Sequence, residues 1–117
     1  MNRFKKLLIQ SFKEFKKYQK NKNDIHLAKA GEKLWNAYQE LLMKKLKTNI
    51  RSFKQYREAV SEAYAKTGIR QYIELFEDLY DLHKYFYRGY AEDIKEVEKK
   101  YLNSYLTLKS LSKIEVD

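Results

Sequence analysis

The chain has no proline in 117 residues, and its three glycines stand at positions 31, 68 and 89. Proline interrupts a helix more strongly than any other residue, because it lacks an N–H and its ring collides with the preceding turn. A chain without it, and nearly without glycine, has few places where a helix must stop. Apolar residues recur at three- and four-residue steps along most of the sequence. No segment alternates with period two over a useful length, so the pattern predicts an all-α fold.

In residues 3–20, Phe4, Leu7, Leu8, Phe12, Phe15 and Tyr18 form one stripe, while Lys6, Lys13, Lys17 and Lys20 share the opposite face. Asn21 to Asp24 read as a turn, with Asp24 as the N-cap of a second helix. That helix, about 25–47, is the most apolar and is expected at the centre, with Ala28, Leu34, Trp35, Tyr38, Leu41, Leu42 and Leu46 covering a wide face. Thr48 to Arg51 break it, and Ser52 caps a third, shorter helix carrying Phe53, Tyr56, Val60 and Tyr64. Thr67-Gly68 is a C-terminal stop, since glycine enters the left-handed conformation cheaply. A fourth helix is expected from Ile69 to Arg88, with Tyr72, Ile73, Phe76, Leu79, Tyr80, His83, Phe86 and Tyr87 as its apolar stripe and Gly89 ending or kinking it. The fifth, about 92–112, uses Ile94, Val97, Tyr101, Tyr105, Leu108 and Leu111. The expected architecture is one domain over 1–117, an up-and-down helical bundle of four long helices plus one short helix.

With no cysteine, disulfides, zinc fingers, iron–sulfur clusters and thiol catalysis are excluded. A hydrophobic fraction of 44% and an aromatic fraction of 15% are too high for a disordered chain. No apolar run exceeds three residues, so no segment reads as membrane-spanning. Leu7-Leu8-Ile9 is too short for a signal-peptide core of ~7–15 residues, and a cytoplasmic location is the expectation.

Charge is unevenly placed. The formal net charge is +9. Residues 1–60 hold sixteen Lys and Arg against five Asp and Glu, a net +11, and residues 61–117 come to −2. Twenty of the basic residues are lysine. Lysine attracts phosphate as a point charge and lacks the arginine fork that reads base edges. The asymmetry points to an anionic partner such as RNA or DNA, held by its backbone, with Lys13, Lys17 and Lys20 as candidate phosphate contacts. The structural alternative is that the two halves neutralise each other on folding.

Two segments stand out. In Ala28 to Ala37 the small residues Ala28, Gly31 and Ala37 let a neighbouring helix approach closely, and the charges of Glu32 and Lys33 beside that face need partners. In Leu82 to Arg88, His83 falls on the apolar stripe, where a histidine is more often a satisfied core residue than a catalyst. His26 is expected in solvent at the start of the second helix. Glu74, Asp78 and Asp81 share one side of the fourth helix, a spacing that suits a solvated face or a lysine partner better than a metal, since no Glu-x-x-His element accompanies them. The turn at Gly68 lacks the residue pattern of a DNA-reading helix-turn-helix, with Tyr64 and Glu74 at the diagnostic positions. The first helix needs its Phe/Leu side for the core, so a membrane-surface role is disfavoured.

The pattern Ala28-x-x-x-Glu32-Lys33-x-x-x-Ala37 resembles the second helix of HEPN (higher eukaryotes and prokaryotes nucleotide-binding) domains. Glu32-Lys33-Leu34-Trp35-Asn36-Ala37, together with Leu82-His83 and Phe86-Tyr87, is similar to the archaeal PaREP-type branch of that superfamily. The resemblance covers under a fifth of the chain. It implies a HEPN-like bundle, a homodimer, and a characteristic surface of Glu32, Lys33, Trp35, His83, Phe86, Tyr87 and Arg88. The eleven tyrosines are compatible with a dimer interface. Many such proteins are metal-independent ribonucleases that place an arginine four to six residues before a histidine. Here the required positions hold Phe76, Glu77 and Asp78 before His83, and Gln19, Lys20 and Asn21 before His26. Arg88 follows His83 instead. The sequence therefore reads as non-catalytic and cofactor-free, binding nucleic acid or a nucleotide. The alternatives are a helical partner of a nucleotidyltransferase in a toxin–antitoxin pair and, disfavoured, a ribonuclease.

Overall fold

The computed structural model describes residues 2–89 and 93–114. Within them the chain is helical with no strand: α1 Arg3–Asn21, α2 Asp24–Leu46, α3 Phe53–Thr67, α4 Gln71–Arg88 and α5 Ile94–Leu111.

The ends of these helices follow from local chemistry. Asn2 caps α1 by accepting from the Lys5 N–H. Asn23, rather than the expected Asp24, caps α2, accepting from Ile25, while Asp24 sits in the first turn where a carboxylate meets the positive end of the dipole. Ser52 caps α3 through Gln55, as expected. Gly68 and Gly89 close α3 and α4 at φ 71° and 77°. The expected start of the fourth helix at Ile69 is two residues early: the Ile69 N–H is taken by the Thr67 hydroxyl, and α4 begins at Gln71 without a side-chain cap. The expected start of the fifth helix at 92 lies outside the described residues; α5 follows Asp93, which accepts from Lys95.

Residue pairs give the directions. Arg3 meets Glu40, Ser11 meets Ala30 and Glu14 meets His26, so α1 and α2 are antiparallel. Tyr38 reaches Tyr72 and Glu32 reaches His83, so α4 runs against α2. Tyr18 with Glu98 and Phe12 with Tyr105 set α5 against α1. These four long helices form the expected up-and-down bundle. The short α3 does not continue the alternation. Gln39 holds the Ile50 carbonyl and Ile50 is buried, so the connection after α2 folds back along it. As a result α3 starts beside Trp35, Phe76 and Tyr80 and runs in the same direction as α2.

The core is one cluster drawn from all five helices, with α2 at its centre: Leu27, Ala30, Leu34, Ala37, Tyr38 and Leu42 are fully enclosed. Most tyrosines belong to this core. Tyr38, Tyr56, Tyr72 and Tyr101 are among the largest fully buried side chains, and Tyr18 and Tyr85 are also buried. Tyr38 and Tyr56 donate to the carbonyls of Tyr72 and Trp35, both at 2.7 Å. The tyrosine load is therefore largely internal, and the support it was expected to lend a dimer interface falls away.

Two stripes differ from expectation. On α4 the enclosed residues are Tyr72, Leu75, Phe76, Leu79, Leu82 and Tyr85. Tyr80 and His83 stand at the edge of that stripe and Tyr87 is 70% exposed, because aromatic residues cover so much of the helix that spacing alone cannot choose among faces. On α3 the core side is Tyr56, Ala59, Val60 and Ala63, and Phe53 and Tyr64 reach solvent.

Candidate functional site

The small residues of α2 act as expected. A Cβ added at Gly31 would lie 3.0 Å from Leu82 Cβ, so glycine is what allows α4 to come this close. At this contact the Glu32 carboxylate accepts from His83 Nδ1 at 2.7 Å, linking the two helices. The side chains are 14% and 25% exposed. Burial pushes the Glu32 carboxyl above its ordinary range, and the hydrogen bond and charge of His83 pull partly against that.

The His83 ring stacks on Trp35 at 4.7 Å between centroids and meets Tyr87 edge-on at the same distance. Trp35 is 6% exposed and forms a floor, with Tyr56 at 4.3 Å, Phe76 at 5.5 Å, Tyr80 at 5.9 Å and Phe53 at 6.4 Å. Over this floor lies an open groove of about 260 Å³, lined by Trp35, Gln39, Arg51, Phe53, Tyr56 and His83. Cations stand on its aromatic rim. Arg57 lies 5.9 Å from the Phe53 ring and Lys84 lies 4.7 Å from the Tyr80 ring.

Of the residues marked by the sequence, the structure brings Glu32, Trp35, His83 and Tyr87 together. Phe86 packs against the core, while Lys33 is half-buried and Arg88 exposed; neither forms an ion pair among the described residues. Arg51, Phe53 and Tyr80 were not among the marked surface residues. The signal for Phe53 and Tyr80 is an aromatic residue followed four positions later by a base, Phe53 with Arg57 and Tyr80 with Lys84, and Arg51 carries no such mark.

Lys13, Lys17 and Lys20 are exposed on α1, and Lys17 lies 3.6 Å from Glu14. No backbone contact joins α1 to α3 or α4 among the described residues, so this lysine face and the aromatic groove belong to different sides of α2. His26 is not free in solvent as expected: its side chain is 21% exposed and its Nδ1 lies 2.8 Å from Glu14.

The ion pairs are segregated. Arg3–Glu40 and Lys17–Glu14 lie within the first half. Lys66–Glu62, Arg70–Glu74, Lys84–Asp81 and Lys100–Asp81 lie within the second. Among the described residues no lysine or arginine pairs with a carboxylate of the other half; only Glu32–His83 crosses. Asp81 turns to Lys100 at 2.7 Å, and no group of three or more acids and histidines among the described residues is placed to hold a metal ion. No described helix is long and apolar enough to cross a membrane.

Comparison with known proteins found no matching family model, no matching curated protein and no matching solved structure.

Proposed function

We propose that this chain is a HEPN-like bundle that binds single-stranded nucleic acid without cleaving it, by backbone attraction and base stacking. The observation that carries this reading is the segregation of charge: among the described residues no lysine or arginine of the +11 first half pairs with a carboxylate of the second, which leaves these bases for an external polyanion. The aromatic groove supports a single strand over a duplex. Phe53 and Tyr87, 42% and 70% exposed, offer faces to unstacked bases, and Arg51, Arg57 and Lys84 stand beside them for phosphates. Every base has a π-face, so such a site is tolerant of sequence. The Glu32-held imidazole serves as a wall of the groove.

The test is fluorescence anisotropy of a labelled oligouridine against wild type and Tyr87→Ala. Loss of one stacking platform costs about 1–3 kcal/mol of binding, while the melting temperature is unchanged because Tyr87 is outside the core. Equal affinity of the two proteins would remove the groove from the binding site, and RNA cleaved by wild type and spared by His83→Ala would replace this reading with the ribonuclease one.

A second reading is favoured by Leu102 and Leu106, one turn apart on α5 and 37% and 62% exposed. They fit a protein–protein module, such as the helical partner of a nucleotidyltransferase. Co-purification with such an enzyme, abolished by Leu106→Asp, would support it.

A further inference from the structure

A cavity of about 600 Å³ opens at the end of the bundle where α1 begins and α2 ends. Five of the described residues that line it are Lys5, Lys44, Lys45, Lys47 and Lys66, and none of the described lining residues is acidic. We propose that this cavity is a binding site for a small organic phosphate, an ester carrying an apolar body and at least two negative charges. This goes beyond the polymer-binding reading and does not depend on it.

The placement of the lysines argues for a ligand. Lys44, Lys45 and Lys66 lie in the last turns of α2 and α3, where a cation is favoured by the helix dipole alone. Lys45 also donates to the Ile114 carbonyl, and Lys66 lies 3.4 Å from Glu62. These three have local structural reasons to be there. Lys47, the C-cap of α2, shares the dipole reason, and Lys5 has none. Lys5 is in the first turn of α1, where the positive end of the dipole disfavours a base, and no acid in that turn offsets it. Lys47 closes α2 at φ 54°, a conformation that glycine adopts at less cost. Both line the same cavity, and neither they nor Lys44 form an ion pair among the described residues. Ammonium groups around one concavity repel each other until an anion sits between them, and the first-turn N–H groups of α1 add donors to the same end.

The rest of the lining defines the body of the ligand. Phe4, Leu41 and Leu46 supply an apolar wall beside the lysines. The volume falls within the ~300–1,000 Å³ of small-molecule sites. Lysines that act as point charges suit a phosphate dianion, and an apolar wall favours an ester over the inorganic ion.

The probe is phenyl phosphate, titrated into the ¹⁵N-labelled protein with inorganic phosphate and a 5′-phosphorylated tetranucleotide in parallel. The expected result is saturable 1:1 binding, with amide shifts confined to residues 2–5, 44–47, 66 and 112. Phenyl phosphate should bind about tenfold more tightly than inorganic phosphate, the worth of burying one or two ring edges. Lys5→Gln with Lys44→Gln should weaken it roughly tenfold or more, and Lys47→Gly roughly threefold or more, as expected for lost charge-assisted contacts. Lys47→Gly keeps the test clear of misfolding, because it relieves a strained cap and should melt higher than wild type. The tetranucleotide shifting the same residues with the same lysine dependence assigns the site to phosphorylated strand ends; phenyl phosphate alone doing so assigns it to free esters. Either outcome supports an organic-phosphate site. Shifts spread along Lys13, Lys17 and Lys20 without saturation would overturn the proposal, as would inorganic phosphate binding equally well or lysine variants of unchanged affinity.

Discussion

Ser11 is a polar residue with no exposure on the inner face of the lysine-rich first helix. Its hydroxyl has one hydrogen, given to the Ala30 carbonyl at 2.7 Å, so the Tyr101 hydroxyl must be the donor in the 2.8 Å bond between them. One atom thus joins α1, α2 and α5. Ser11→Ala leaves the Tyr101 hydroxyl buried without its acceptor and should cost about 1–3 kcal/mol, read as a lower urea midpoint. Tyr101→Phe removes the orphan and should recover part of that loss in the double variant. At the opposite sign stands Lys47. Replacing a non-glycine residue in the left-handed region by glycine should stabilise the fold by about 0.5–1 kcal/mol, with the denaturant slope unchanged. Neither residue's role was legible in the sequence: a serine among lysines carries no mark of burial, and a left-handed lysine looks like any other. Glu32 was legible, because a carboxylate beside small residues requires a partner, and the structure supplies His83.

At the scale of elements, the α1–α2 hairpin is fastened near its turn by Glu14 and His26. Burial raises the Glu14 carboxyl, but the hydrogen bond from His26 and the nearby charges of Lys17, His26 and Lys29 outweigh it, and the net shift is downward. The unfolded chain therefore binds this proton more readily than the folded one. The stabilisation is fully present above the ordinary carboxylate range and is lost as pH falls through the lowered native value. Glu14→Gln should accordingly be less stable than wild type at neutral pH, and the two stability curves should converge in acid, measured by urea unfolding across a pH series. A constant gap at every pH would contradict this. The helices themselves were readable, since absent proline and three- and four-residue spacing admit little else, and Ser52 and Gly68 marked boundaries correctly. The path of the connection after α2 was not. The parallel course of α3 depends on Gln39 holding Ile50, a contact across eleven residues that no local signal records. The aromatic groove was half legible for the same reason: Trp35, His83 and Tyr87 belong to marked segments, but Phe53 joins them only because α3 starts where it does.

For the whole molecule, the account rests on charge that the fold leaves on the surface. A bundle whose halves cancelled would show lysines of the first half paired with acids of the second, and the described lysine and arginine ion pairs stay within their own halves. Lys13, Lys17 and Lys20 stand at three- and four-residue steps on the outside of α1, open to a phosphate backbone. Replacing all three by glutamine removes up to three phosphate contacts and should flatten the salt dependence of binding by about 2 in log–log slope, at roughly 0.7 per contact on a single strand. The most direct test is the wild-type protein's affinity for an unstructured RNA between 50 and 200 mM salt. The predicted result is measurable binding at low salt that falls linearly in log–log form with a slope steeper than about −2 and changes little with base sequence. Absence of binding at 50 mM salt, or an affinity indifferent to salt, would contradict the account.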